Sequence, residues 1–323
     1  MMGAIFLSSI AITLSAMPFL IRKLFAAGMT GKDVNKKSPP DVAEMGGLGI
    51  AMGFIGSLLL SIAMSTFLGY SFSLLHVLAA MLTIMIVALI GTYDDLFSMR
   101  QSIKAVLPMA AALPLVAVAA AGSTAISLPL IGPFDFGIFY ILALVPLGVA
   151  VSSNLTNMLA GFNGMEAGMG VVMFAAVLAL ALANGKLEMG MIAAAMLGAL
   201  IAFLPFNWNP ARVFSGDIGN LSIGAALACA VVIGNMESVG LILVIPYLID
   251  FAIKALNRFP STKWGGENRG GKLYPLEGRV RGAAQLAMKL YGGVSESKLV
   301  MTFIIAEGLC ALLAILLYGR LFG

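Results

Sequence analysis

The residues that could do chemistry fall into four short clusters. The first holds Asp33, Asn35, Lys36, Lys37 and Glu44, followed by Gly46 and Gly47. The second, GTYDDLFSMRQSIK, holds Asp94, Asp95, Arg100 and Lys104. The third, NLTNMLAGFNGMEAG, holds Asn154, Asn157, Gly161, Asn163 and Glu166. The fourth, FNWNPARVFSGDIGN, holds Asn207, Asn209, Arg212, Asp217 and Asn220. Carboxylate and carboxamide oxygens are hard ligands suited to Mg²⁺ or Mn²⁺. Lysine and arginine suit phosphates. No histidine or cysteine lies in any cluster, which argues against zinc. The composition therefore points to a divalent cation, phosphates and charge neutralisation.

Each cluster also has a plainer reading. The Asp94–Asp95 pair, followed by basic residues, could be a solvated helix end. Asn154 and Asn157 are spaced i, i+3, share a helix face and could satisfy a helix terminus. Asp217 directly precedes an apolar run and could be its N-cap, a role compatible with ligand binding. The single histidine, His76, is remote from the clusters and reads as structural. Cys229 and Cys310 lie in apolar runs without metal-ligand spacing and read as small buried hydrophobes.

The elements that position these clusters follow from hydropathy. The chain has 323 residues, 60% hydrophobic and 11% charged, against about 25% charged in soluble domains. Its polar residues cannot cover a water-facing surface, so lipid must cover the rest. A spanning helix needs about 20 apolar residues. Ten runs meet that need, over 3–21, 46–67, 73–92, 105–122, 137–156, 167–184, 189–206, 218–235, 238–256 and 299–321. They are continuous, whereas barrel strands would alternate in short segments. The predicted fold is all-α, a single polytopic domain over 1–323 with ten transmembrane helices. The first run has no basic segment before it and reads as a span, not a cleaved signal.

Orientation follows from Lys and Arg. With ten spans, all of them except Lys186 and Arg320 fall on the loops after odd-numbered spans or the span ends feeding them. That puts both termini outside and all four clusters on the cytosolic face. The longest cytosolic loop, 257–298, carries WGGENRGGKLYPLEGRVRG, whose glycines and cations suit a phosphate ligand or a solvated positive-inside loop. The outer segment 122–137, GSTAISLPLIGPFDFG, is expected to form a short hairpin at the membrane surface. Polar residues at membrane depth are costly and mark function, and convergence of four clusters on one face favours a site.

Four stretches in order, KDVNKKSPPDVAEMGGL, GTYDDLFSMRQSIKAVLP, NMLAGFNGMEAG and NWNPARVFSGDIGN, resemble the polyprenyl-phosphate N-acetylhexosamine-1-phosphate transferases. Within them the chain is most similar to the eukaryotic and archaeal branch that uses UDP-GlcNAc and dolichyl phosphate. The resemblance implies ten spans and an outside N-terminus. It implies that Asn157 and Asp217 ligate Mg²⁺ (Mn²⁺ as an alternative) and that Gly161 and Asn163 recognise uracil. Asp94 and Asp95 would sit at the reaction centre with Lys104 on phosphate. Glu44, Lys36 and Lys37 would contribute from the first loop, Arg212 from the fourth stretch and Arg258 from the last loop. The bacterial branches carry a histidine-rich motif in that loop; here it has no histidine, and Leu256 and Asn257 stand where the eukaryotic branch is basic.

The implied reaction moves a sugar 1-phosphate from a UDP-N-acetylhexosamine to polyprenyl or dolichyl phosphate, releasing UMP. Two anions must meet, so charge neutralisation should dominate. The acceptor monoester, with a second pKa near 6, is already mostly dianionic at neutral pH, so the aspartates are expected mainly to position substrate, cation or water. The expected partners are these two substrates and the bilayer, with a homodimer admitted and no nucleic acid. The membrane would be the cell membrane in an archaeon or the endoplasmic reticulum in a eukaryote, with the site cytosolic. A secondary transporter would place its sites near the midplane on broken helices; here Glu307 is the clearest deep acid. A CDP-alcohol phosphotransferase would also use aspartates and Mg²⁺, but its paired-aspartate signature is absent.

Overall fold

The structure, a computed structural model, describes residues 1–119, 122–128, 132–260 and 265–319. Lys263 and Arg320, used above for orientation, and Trp264 of the last loop lie outside the described residues, as does part of the outer hairpin. The molecule is helical, with three two-stranded ribbons, β1–β2 (Thr30–Lys32, Asp41–Ala43), β3–β4 (Ala125–Leu128, Gly132–Asp135) and β5–β6 (Gly266–Arg269, Lys272–Pro275).

Among the described residues, nine helical segments are long and apolar enough to cross a membrane. They are α1 (Met2–Ala26), α2 (Gly47–Leu68), α3 (Leu74–Phe97), α4 with α5 (Gln101–Ala111 and Leu113–Ala119), α6 (Val145–Met158, entered through a π-helical turn), α7 (Met165–Ala183), α8 (Leu187–Asn207), α9 (Gly216–Gly234) and α13 (Glu296–Tyr318). A tenth crossing needs α10 (Glu237–Leu243) and α11 (Ile245–Leu256) taken together, bent by 58°. The expected ten spans thus map onto nine straight segments and one broken one. Pro246 explains where the break falls: it opens α11 and cannot donate the N–H that would continue α10. The short helix α12 (Ala283–Leu290) precedes α13.

The core lies on α8 and α9. Helix α8 is mostly buried within the bundle, whereas α1 leaves most of its surface uncovered by protein. Helix α9 packs on α3 and α6, and α8 on α1 and α7. Two glycines let backbones meet at the start of α9. A Cβ on Gly47 of α2 would stand 2.2 Å from the Gly219 nitrogen, and one on Gly91 of α3 would stand 2.5 Å from the Ile218 nitrogen.

Hydrogen bonds between connections show which loops share an end of the bundle. At one end, Phe214 N–H donates to Ala43 O (2.8 Å), Asn35 Nδ2 to Gly161 O (3.0 Å) and Gly266 N–H to Asn35 Oδ1 (3.1 Å). At the other, Ser73 N–H donates to Glu188 Oε1 (2.6 Å), Asn184 Nδ2 to Tyr318 O (2.9 Å), and Tyr140 OH to Glu237. This is the alternation that ten crossings demand. The expected hairpin over 122–137 is present as β3–β4, with Ala125 opposite Asp135. Cys229 is buried as expected, whereas Cys310 is only half-buried; both are free, and His76 contacts Ser73 at the start of α3, a structural role.

Candidate active site

The four clusters meet at the end of the bundle where α9 begins. Helix α3 ends there with Asp94 and Asp95 at the start of its last turn, and α4 begins after a three-residue link. The left-handed cap at Ser98 turns the chain back, and Met99 N–H donates to an Asp94 carboxylate oxygen. This reversal carries Lys104, one turn into α4, back over Asp94. The Lys104 ammonium stands 2.6 Å from Asp94 Oδ2 and also pairs with Asp217. Lys104 is 6% exposed, so its charge is balanced by these carboxylates rather than by water.

Asp95 has a different task from its neighbour. Its Oδ1 accepts the Asp217 N–H (2.8 Å) and its Oδ2 the Ile218 N–H (3.2 Å). The first turn of a helix presents N–H groups with no partner inside the helix. Ser215, the residue at the cap position, makes no side-chain cap bond. Asp95 therefore supplies, from α3, the cap that the local sequence of α9 lacks. The N-cap reading of Asp217 is corrected: it sits inside the first turn of α9, and its carboxylate is free to face Lys104.

On the α6 side, Asn157 Oδ1 accepts from Asn220 Nδ2 (3.1 Å), Asn220 Oδ1 accepts from the Ser215 hydroxyl (2.6 Å), and Thr156 donates to Asn220 O (2.7 Å). Asn154, on the same face as Asn157, instead bonds Ala105 O (3.1 Å) and Ala150 O (2.8 Å), the helix-satisfying role. From the first loop, Gly46 and Gly47 donate to Phe214 O and Ser215 O (both 2.8 Å), which brings Glu44 beside Asp95. Burial pushes the Glu44 carboxyl above its ordinary range.

A second polar cluster adjoins the first, since the same segments run through both. Asn163 N–H donates to Glu296 Oε1 (2.9 Å) and its Nδ2 to Asp33 Oδ2 (2.9 Å). Lys36 pairs with Asp33 (3.0 Å) and with Glu296. Gly161 N–H donates to Glu166, and Gly164 N–H to Asn207 Oδ1 (3.1 Å). Glu296 was not singled out in the sequence. Its only signal is its place as the first residue of α13, next to the N-cap Ser295.

Of the twelve predicted site residues, Asp94, Asp95, Lys104, Asn157, Asp217 and Glu44 gather around the start of α9, and Lys36, Gly161 and Asn163 around Asp33 and Glu296. Lys37 and Arg258 stay exposed without joining either cluster, and exposed Arg212 lies over the Phe206 ring at 5.2 Å. Phosphate or headgroup contact is open to these three but is not built into the fold.

Among the described residues, no three His, Cys, Asp or Glu side chains are grouped to hold a metal by themselves. Mg²⁺ normally takes only one or two protein carboxylates and fills its octahedron with substrate phosphates and water. Asp217, whose side chain is 21% exposed, and the neighbouring Asn157 oxygen fit that mode and no more enclosed one.

A helical membrane bundle with carboxylates, carboxamides and a buried ammonium gathered at one end has the makings of a phosphate-handling enzyme. Residues 77–235, which hold three of the four clusters, match the family described as Glycosyl transferase family 4. The chain is 34% identical over 304 residues, covering 93% of it and 91% of the relative, to a Saccharolobus solfataricus protein assigned by name to the UDP-N-acetylglucosamine–dolichyl-phosphate N-acetylglucosaminephosphotransferases. It is 28% identical to the Dictyostelium discoideum protein of that name, covering 88% and 80% of the two chains. A phospho-N-acetylmuramoyl-pentapeptide-transferase of Limosilactobacillus fermentum is 39% identical, over 37% of each chain. The chain belongs to glycosyl transferase family 4, and the resemblance read from its four motif stretches is borne out.

Proposed function

We propose that the protein transfers N-acetylglucosamine 1-phosphate from UDP-N-acetylglucosamine to dolichyl or another polyprenyl phosphate at the cytosolic face, releasing UMP. The observation that carries this reading is the Lys104 ammonium between Asp94 and Asp217, in a chain similar along nearly its whole length to relatives with that name. A phosphate oxygen of the acceptor attacks the β-phosphorus of the donor. The new O–P bond forms as the bond from that phosphorus to the bridging oxygen breaks, and the electron pair leaves on UMP. The product is a lipid-diphosphate-linked sugar, the kind of intermediate from which glycans such as N-glycans are built.

Lys104 offers the positive charge that the departing phosphate develops a need for. Its ties to Asp94 and Asp217 hold it in place in advance. Asp95 fixes the start of α9, so it positions Asp217 rather than taking a proton. The acceptor is ionised at neutral pH and needs no strong base. Bound Mg²⁺, held by Asp217 and Asn157 with the diphosphate, would polarise the attacked phosphoryl group and neutralise its charge. The lipid tail would stay in the bilayer against the helical surface. Asn163 and Gly161 would take the uridine end of the donor.

The transporter reading draws support from the bend between α10 and α11 and from buried Glu307. Neither contributes to the ion pairs around Lys104 and Lys36, which favours the enzyme. The test is a panel of radiolabelled UDP-sugars with purified protein, Mg²⁺ and a short polyprenyl phosphate. Labelled lipid from UDP-N-acetylglucosamine supports the reading; transport of the intact sugar nucleotide without UMP release removes it.

A further inference from the structure

We infer that Asp33 is a specificity-determining residue that selects uracil over cytosine, by fixing which end of the Asn163 amide faces the donor nucleotide. This rests on the function proposed above and deepens it. A carboxamide has a donor end and an acceptor end, and its orientation is decided by its hydrogen-bond network. Asn163 Nδ2 points at Asp33 Oδ2 at 2.9 Å. The same oxygen lies 3.0 Å from the Lys36 ammonium, and Asp33 Oδ1 accepts the Asn35 N–H at 3.3 Å. A carboxylate paired with a lysine is acceptor-only. It can receive the Asn163 NH₂ group but not its oxygen. Asp33 is 3% and Asn163 3% exposed, so water does not relax this choice. The backbone is held as well, since Glu296 accepts the Asn163 N–H.

What remains for a ligand is Asn163 Oδ1. It accepts no hydrogen bond among the described residues, yet it is not among the sealed atoms left without a partner. The carboxylates of Asp33, Glu166 and Glu296 accept hydrogen bonds from this turn, the Lys36 ammonium pairs with two of them, and Lys254 donates to Met158 O just before it. Three acceptor carboxyl groups around the turn make it a poor seat for phosphate, and the diphosphate is better placed at Lys104. A neutral, donor-bearing part of the nucleotide sugar fits here. Uracil carries an N3–H donor at the ring position where cytosine carries a bare acceptor nitrogen. An acceptor locked toward the base therefore binds the first and is left unpaired against the second, a mismatch worth about tenfold or more in affinity.

The test is competition calorimetry of UMP and CMP on the purified protein with Mg²⁺ present. Wild type should bind UMP about tenfold or more tighter than CMP. In Asp33→Asn the new carboxamide can either accept from Asn163 Nδ2 or donate to Asn163 Oδ1, so the Asn163 amide is no longer held one way round. The UMP-to-CMP ratio should then fall to within about threefold, a change of roughly one hydrogen bond. Asp33→Ser, smaller and also able to donate, should shift the ratio the same way. Equal weakening of both nucleotides, with the ratio kept, would make Asp33 structural only and overturn the inference. So would equal binding by wild type, or failure of both variants to fold. Turnover of UDP-N-acetylglucosamine by wild type is measured separately. Normal turnover with no base discrimination would sink this inference alone, and no turnover would sink the proposed function.

Discussion

Lys104 and the two aspartates of α3 do different work despite their closeness, and substitution should separate them. Asp94 holds the lysine; Asp95 holds a helix. In Asp95→Asn one oxygen becomes an NH₂ group aimed at a backbone N–H. The cost of such an unmet buried donor is about 1–3 kcal/mol, read as a lower thermal midpoint, together with lost turnover. Asp94→Asn should lose turnover with a smaller loss of stability, and both should still bind UDP-sugar. Wild-type stability and rate in either variant would return the pair to a solvated helix end. Asp217→Asn should keep the fold and lose most activity, because a carboxamide is a far weaker Mg²⁺ ligand than a carboxylate. Full activity in that variant would remove Asp217 from the site. Glu44 gives a pH-dependent prediction. Its carboxyl is raised by burial, so ionising it disfavours the folded state. The penalty is absent at acid pH, where the group is protonated both folded and unfolded, and grows as pH rises through the unfolded and then the folded value. Glu44→Gln should therefore stabilise the protein at neutral pH and not at acid pH. Denaturation scans at both conditions decide it; a neutral-pH loss of stability would contradict the assignment.

At the scale of elements, the site depends on how closely α2 and α3 approach the start of α9. A methyl group at Gly91 has no room beside the Ile218 backbone. Gly91→Ala should push α3 from α9, cost about 1–3 kcal/mol as an overpacked contact, and lengthen the Asp95 cap. Turnover should fall although no charged group has been touched; a fully active, fully stable variant would show that α3 and α9 need not meet there. Much of this arrangement was legible beforehand. Apolar run length located the spans, and the Asp94–Asp95 pair, Asn157 and Asp217 stood out as polar groups at span ends. What was not legible is pairing across the fold. That Asp95 caps a helix 122 residues later follows from no local pattern, and Asp217 beside an apolar run looked like the cap itself. Glu296 was missed because an acid in the first turn of a helix is ordinary, and only packing reveals that it meets Lys36 and Asn163. The broken span was also missed, since hydropathy averages over a 58° bend that keeps its apolar composition.

For the whole molecule, the account requires that the end of the bundle bearing the clusters faces the cytosol. A cysteine introduced at Gly270, an exposed turn between β5 and β6, should react with a membrane-impermeant reagent only when the cytosolic side is open. Labelling in intact cells would place the site on the wrong face. The reaction itself is tested most directly by the fate of one atom. Purified protein should be given UDP-N-acetylglucosamine labelled in the β-phosphate, Mg²⁺ and a short polyprenyl phosphate. Phosphotransfer predicts that the label moves into the lipid with the sugar while unlabelled UMP is released in equal amount, and that the rate falls below about pH 6 as the acceptor loses its second charge. Label remaining on released UDP while sugar alone reaches the lipid would contradict phosphotransfer at Lys104 and Asp217, as would labelled nucleotide sugar carried intact across a vesicle membrane.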